Sequence, residues 1–202
     1  MKDTVIDFIR HGEPTGVSTY RGNGVDDPLS EKGWSQMWSA VGDDCPWDVV
    51  FCSPMSRCRA FAEALAKKYS IPVRVEDRLK EVGFGSWEGR ERTEIKKNNA
   101  DEYEAFYRDP VNFRPAGAEP LDEFENRVSA AFGNILEIFS GQHILVISHA
   151  GVIRAAMIAI SQKTATEVYG IKVGNASFTR FRHTVSGVKL EFYNRSSLCG
   201  SI

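Results

Sequence analysis

Apolar residues along this chain gather into short runs and helical stripes that alternate. The run 4–10 (TVIDFIR) is continuous and stops abruptly at polar residues, which predicts a short central strand. Prolines, glycines and aspartates crowd 13–28, a loop. Trp34, Met37, Trp38 and Val41 then recur at helical spacing behind Ser30, a residue suited to cap a helix. A second apolar run, 47–53 (WDVVFCS), predicts a strand. Ser53-Pro54 predicts a helix start, with Ser as N-cap and Pro at the first helical position. Met55, Cys58, Phe61 or Ala62, Leu65 and Tyr69 form the buried stripe of that helix. The alternating stretch 73–79 predicts a third, edge-like strand.

The rhythm breaks over 83–120. This segment opens glycine-rich with two aromatics, continues as a charged helical stretch over 93–109, and is then interrupted by Pro110, Pro115, Gly117 and Pro120. It is expected to be an excursion over the active-site face, too short and too polar to own a core. The stretch 121–139 is the clearest amphipathic helix, with Leu121, Phe124, Val128, Ala131, Ile135 and Phe139 on one face. HILVISH (143–149) has the continuous apolar pattern of a strand covered on both faces. Gly151 leads into VIRAAMIAI, a buried helix, and 177–195 predicts two strands joined at Ser186-Gly187. Strands alternating with helices predict an α/β fold, a three-layer α/β/α sandwich around a mainly parallel central sheet. One domain over 1–202 is expected.

Composition changes this picture little. The 202 residues, 42% hydrophobic and 26% charged, suit one α/β domain able to bury roughly 70% of its unfolded surface. A net charge of −2 provides no global basic field, so nucleic acid is not an expected partner. No apolar run is long enough to span a bilayer, and Met1-Lys2-Asp3 runs straight into a strand without a signal peptide, so a cytoplasmic protein is expected. Cys45, Cys52, Cys58 and Cys199 show neither CxxC pairing nor zinc-ligand spacing and read as free thiols in a reducing compartment.

The chemistry lies at the strand ends. Arg10-His11, Arg57, Glu81 and His149 stand at or just beyond them, and in a parallel sheet those ends share one edge, where ligands bind. Two guanidiniums match phosphate oxygens bidentately. Helix N-termini after Ser53 and at Ala150 add N–H groups, and Gly12 and Gly151 allow close backbone approach to an anion. Arg21, in the loop after Glu13, is a further phosphate-binding candidate. A neutral imidazole can attack phosphorus and hold it covalently. A carboxyl protonated beside the bound dianion can then protonate the leaving oxygen. The set therefore predicts phosphoryl transfer, with His11 as nucleophile. His143 starts a strand, at the wrong end, and His183 lies in the terminal hairpin; both are expected to be structural. Trp87 is a weaker candidate for shaping the pocket. Rival chemistries lack their motifs: Cys52 and Arg57 are one residue too close for Cys-x5-Arg, no Asp-x-Asp follows the first strand, and GxxxxGK[ST], HExxH and GxSxG are absent.

The motifs Arg10-His11-Gly12-Glu13, Ser53-Pro54-x-x-Arg57, Leu79-x-Glu81-x-x-Phe84-Gly85-x-Trp87-Glu88-Gly89 and Ser148-His149-Ala150-Gly151-Val152-Ile153-Arg154 resemble the histidine phosphatase superfamily, the phosphoglycerate mutase-like fold. Asp27-Pro28-Leu29-Ser30 with Gly33 and Gln36 also fits. The resemblance implies that His11 becomes phosphorylated, that Arg10, Arg57 and His149 form the phosphate pocket, and that Glu81 donates the proton, with no metal or other cofactor. The stretch around Trp87 is similar to the α-ribazole phosphatase-like branch. That branch often carries asparagine six residues after the nucleophile, where this chain has Val17, and Gly-Gly-Glu-Ser where this chain reads Gly117-Ala118-Glu119-Pro120. The expected activity is hydrolysis of a small phosphorylated metabolite, with α-ribazole 5′-phosphate among the candidates. A phosphoglycerate mutase and a non-catalytic phosphate-binding module are the alternatives.

Overall fold

The structure, a computed structural model, describes residues 2–161 and 163–198. Cys199 lies outside the described residues. Six strands form one sheet in the order β3-β2-β4-β1-β5-β6. They are β1 (Thr4–Arg10), β2 (Val49–Cys52), β3 (Val73–Val75), β4 (His143–Ser148), β5 (Phe178–Thr184) and β6 (Gly187–Arg195). The first four pair in parallel, while β5 pairs antiparallel with both β1 and β6. Strand alternation sends side chains to two separate cores. Ile6, Phe8, Val49, Phe51, Ile144 and Val146 face one, under α5 (Leu121–Ile138) and α6 (Ala150–Ile160). Ile9, Val50, Cys52, Leu145 and Ile147 face the other, under α1 (Glu31–Val41) and α2 (Ser56–Tyr69). Both faces being covered is why these strands read as continuous apolar runs. The remaining helices are α3 (Arg92–Asn98), α4 (Ala100–Arg108) and α7 (Ala165–Tyr169).

Three expectations are corrected. The second helix starts at Ser56 with Met55 in the cap position, not at Ser53-Pro54. The Ser53 hydroxyl accepts from the Met55 amide at 3.3 Å and meets a ring nitrogen of His149 at 2.8 Å, so the helix opens later. The third strand ends at Val75 rather than 79, because the Glu76 carboxylate takes both the amide and the guanidinium of Arg78 and closes a 3-10 turn over Asp77–Leu79. Finally, the excursion does own a small core. Trp87, Ile95 and Phe106 pack with Tyr20 from the first loop, and Trp87 is fully buried there rather than lining a pocket. Its charged helical stretch is two helices, α3 and α4. Aromatic edges and faces supply the packing that aliphatic residues would otherwise provide.

A second buried polar group lies away from the strand ends. Asp7 is inaccessible at the middle of β1 and receives Arg180, His143 and the Trp47 indole N–H. Burial alone would raise its carboxyl, but the hydrogen bonds from His143 and Arg180 outweigh it and hold the group below the ordinary range. No helix among the described residues is long and apolar enough to cross a membrane.

Candidate active site

Register puts two histidines side by side. Arg10 pairs with Ser148 across the parallel β1–β4 ladder, so the next residues, His11 and His149, leave adjacent strand ends together. Their rings meet edge to face with centroids 5.2 Å apart. The His11 main chain is clamped on both sides: its amide donates to the Ser148 carbonyl at 2.9 Å, and its carbonyl accepts from the Asn175 side chain at 3.2 Å. The His11 Nδ1 lies 2.7 Å from the Gly12 carbonyl, which can only accept. Nδ1 therefore carries the hydrogen and Nε2 keeps its lone pair. Burial, then the Arg10 and Arg57 charges, push the His11 pKa well below the usual histidine value, despite the opposing Gly12 bond. His149 is lowered in the same way, first by burial and then by Arg57. Both rings are thus neutral near pH 7.

The two arginines are held by main-chain carbonyls. Arg57, only 1% exposed, donates to the Val25 carbonyl at 3.0 Å and the Gly22 carbonyl at 2.9 Å. Arg10 donates to the Val173 carbonyl at 2.7 Å. Among the described residues no group accepts from Arg10 Nε or Arg57 Nε, both of which are buried. Buried donors without acceptors are costly, and an anion would satisfy them. Burial pushes the Arg10 pKa down to about 10, so the guanidinium stays charged near neutrality. These side chains line a cavity of about 450 Å³ together with Arg21, Arg92 and Arg154, five arginines facing two carboxylates, Glu13 and Glu81.

Glu81 lines the same cavity. The 3-10 turn carries the chain over the sheet edge, and Glu81 accepts from the Val82 amide at 3.0 Å and the Gly151 amide at 3.3 Å. Gly151 is thus bare for Glu81: a Cβ there would lie 2.2 Å from its Oε1. Gly12 is bare for α1, since its Cβ would fall 2.2 Å from the Gly33 carbonyl oxygen. Neither glycine lines the main cavity, whereas Ala150 does. Arg21 reaches the wall but commits its guanidinium to Asp27 and to the carbonyls of Thr15 and Val17. It ties the first loop together. Val17 is 61% exposed at the rim.

Sequence reasoning gave no site role to Ser53, Asn175, Arg92 or Arg154, although Ser53 and Arg154 stand in the motifs. Arg154 stood one turn into the helix after His149 and could have been found by that spacing. Asn175 carried no signal, because only the antiparallel return of β5 brings it to His11. Arg92 and Arg154 also line a smaller adjoining hollow with Tyr20, Phe84, Phe106, Tyr107 and Tyr169. Among the described residues no cluster of three or more His, Cys, Asp or Glu could hold a metal ion.

This constellation is matched by known proteins. The family model of the histidine phosphatase superfamily (branch 1) covers residues 6–196. The chain belongs to the histidine phosphatase superfamily. It is 29% identical over 171 residues to the adenosylcobalamin/α-ribazole phosphatase of Salmonella typhimurium, covering 82% of this chain and 84% of that one. Phosphoserine phosphatase 1 of Hydrogenobacter thermophilus is 26% identical over 175 residues, covering 85% and 83%. The α-ribazole phosphatase of Shigella flexneri superposes with a TM-score of 0.82 at 24% identity, over 98% of this chain and 100% of that one. Like its relatives, this histidine phosphatase is a hydrolase of phosphate monoesters, and its α/β fold is the phosphoglycerate mutase-like one.

Proposed function

We propose that this histidine phosphatase cleaves a small phosphorylated metabolite through a phosphohistidine on His11. The observation that carries this reading is the His11 ring: neutral, buried between two arginines, its Nδ1 hydrogen on the Gly12 carbonyl and Nε2 unprotonated. Arg10 and Arg57 cradle the phosphoryl oxygens and neutralise charge that spreads over them. His149, predicted to bind phosphate, lies buried behind the cavity wall against His11 and Ser53. Nε2 forms the new N–P bond while the ester P–O bond breaks, and Glu81 transfers a proton to the departing alkoxide. Water then attacks the phosphohistidine, Glu81 takes its proton, and inorganic phosphate leaves. The burial of His11 and of the Arg57 side chain strengthens these interactions. A cytoplasmic setting suits the free thiols of Cys45, Cys52 and Cys58.

Labelling with a phosphoester radioactive at phosphorus tests the intermediate. The expected label is stable in base, lost in acid and absent from His11→Ala, whose turnover collapses. An acid-stable label, or a His11→Ala enzyme with full activity, would overturn the reading. Release of inorganic phosphate, rather than its movement between the hydroxyls of 3-phosphoglycerate, separates hydrolysis from mutase action.

The substrate has two candidate classes. The Salmonella relative points to α-ribazole 5′-phosphate. The adjoining hollow, with Arg92 and Arg154 among aromatic walls, favours an alcohol bearing its own acid group, as in phosphoserine. Under the second class Arg92→Ala lowers kcat/KM for phosphoserine by about tenfold or more, roughly the worth of one charge-assisted hydrogen bond, and spares α-ribazole 5′-phosphate. Equal effects on both substrates would leave α-ribazole 5′-phosphate as the better candidate.

A further inference from the structure

Glu88 belongs to the most distinctive motif of the chain, yet it does not line the catalytic cavity. Its carboxylate instead sits beneath the turn that holds Arg57. Oε1 accepts from the Phe84 amide at 2.8 Å and from the Asn23 amide at 3.3 Å. The residues on either side of Asn23 are glycines because the carboxylate fills the space of their side chains. A Cβ on Gly22 would lie 1.9 Å from Glu88 Oε1, and one on Gly24 would lie 2.1 Å from Oε2. Gly22 also has φ +54°, a left-handed conformation that glycine adopts without strain. The turn is therefore moulded around Glu88, and its outer surface presents the Gly22 and Val25 carbonyls to the Arg57 guanidinium.

Glu88 is itself anchored. It follows the 3-10 turn Gly85–Trp87, whose Trp87 is fully buried against Tyr20 and Phe106. On the next residue, the Gly89 amide donates to the Tyr20 carbonyl at 2.8 Å, and the Tyr20 amide returns a bond to the Arg90 carbonyl at 3.0 Å. The excursion and the first loop are thus sewn together on both sides of Glu88.

We infer that Glu88 is a positioning residue for Arg57, acting through the Gly22–Val25 backbone to aim the guanidinium at the phosphoryl group. The inference rests on the reading of Arg57 as part of the phosphate cradle. Without Glu88 two amides lose their acceptor, the turn is no longer supported, and the two carbonyls that fix Arg57 move. Displacing a catalytic group by about 1 Å can cost up to about a hundredfold in rate.

The test compares Glu88→Ala, Glu88→Gln, Gly24→Ala, Arg57→Ala and the Arg57→Ala/Glu88→Ala double variant. The readings are kcat and KM on p-nitrophenyl phosphate, the inhibition constant of inorganic phosphate, and thermal melting. Glu88→Ala is expected to weaken phosphate inhibition and lower kcat/KM by about tenfold to a hundredfold. Glu88→Gln stays close to wild type, since its amide oxygen still accepts from both N–H groups. Gly24→Ala, which crowds the carboxylate from the other side, shifts both constants in the direction of Glu88→Ala. The double variant is no worse than Arg57→Ala, because residues acting through one another are non-additive.

A folded Glu88→Ala enzyme with unaltered phosphate inhibition and kcat/KM would overturn the relay, as would effects that multiply in the double variant. If Glu88→Ala does not fold, Gly24→Ala decides, and its full activity would overturn the relay. An Arg57→Ala enzyme with undiminished phosphate affinity overturns the cradle itself, and the relay with it. Loss in Arg57→Ala without loss in Glu88→Ala overturns the relay alone.

Discussion

Ser53 shows how a single hydroxyl can change meaning between sequence and structure. By its position before Pro54 it reads as a helix cap, but its oxygen lies 2.8 Å from His149 Nε2, with Cys58 Sγ at 3.6 Å from the same nitrogen. His149 is fully buried, and the Ser53 hydroxyl makes the shortest hydrogen bond to its ring. Ser53→Ala should therefore cost about 1 to 3 kcal/mol of stability, the penalty of leaving a buried polar atom unsatisfied. A loss of kcat should accompany it, because the His149 ring packs edge to face against His11 and supports its position. Urea denaturation and steady-state kinetics check both effects, and an unchanged His149 site would show in unchanged kcat. His11, by contrast, was legible as a candidate once Arg57, Glu81 and His149 were placed at the other strand ends. An Arg-His-Gly at the end of an apolar run is a local feature. Its protonation state was not legible, since that depends on burial beside Arg10 and Arg57 and on the Gly12 carbonyl.

At the scale of elements, α1 and the loop after β1 are pressed together more closely than side chains permit. A Cβ on Gly33, inside α1, would lie 2.1 Å from the Glu13 carbonyl oxygen. Two effects oppose one another in Gly33→Ala. Alanine is favoured over glycine in a helix by about 0.5 to 1 kcal/mol. Overpacking a closed contact costs about 1 to 3 kcal/mol. The contact is with backbone, which cannot rotate aside, so the second effect should win. Gly33→Ala is expected to be destabilised and to lose kcat/KM, because the displaced loop carries His11. A variant more stable than the parent would show that α1 slides freely. The excursion offers a second case. Trp87→Ala should cost about 3 to 5 kcal/mol in the small aromatic core it shares with Tyr20 and Phe106. Hydrogen exchange of the α3 and α4 amides against denaturant should show that core loosening at lower urea than the sheet. Its helices were legible as helical but not as a packed unit, because the partner Tyr20 comes from a loop far away in sequence.

For the molecule as a whole, the active site ties stability to pH. His11 and His149 are buried and neutral, each with a pKa below that of an unfolded histidine near 6.5. As pH falls below about 6.5 the unfolded chain binds their protons first, so stability is complete above that value and declines below it. With both groups depressed, unfolding free energy should fall between pH 7.5 and 5.5. Asp7 has a lowered pKa, so its contribution is complete above the unfolded carboxylate value of about 3.9 and disappears only in stronger acid. Urea midpoints at the two pH values measure this, and a flat profile would mean that the histidines titrate normally. The sequence alone determined the alternation of strands and helices, the two-sided burial of the central strands and the placing of the candidate site residues at their ends. Those are consequences of local patterning and of the rule that parallel strands share an edge. Only the tertiary structure decided what those side chains meet. Insertion of β4 between β1 and β2 sets His149 against both His11 and Ser53, the antiparallel return of β5 delivers Asn175, and two loops far apart in sequence close over Glu88. Such contacts join residues across long separations, and no local period or propensity encodes them.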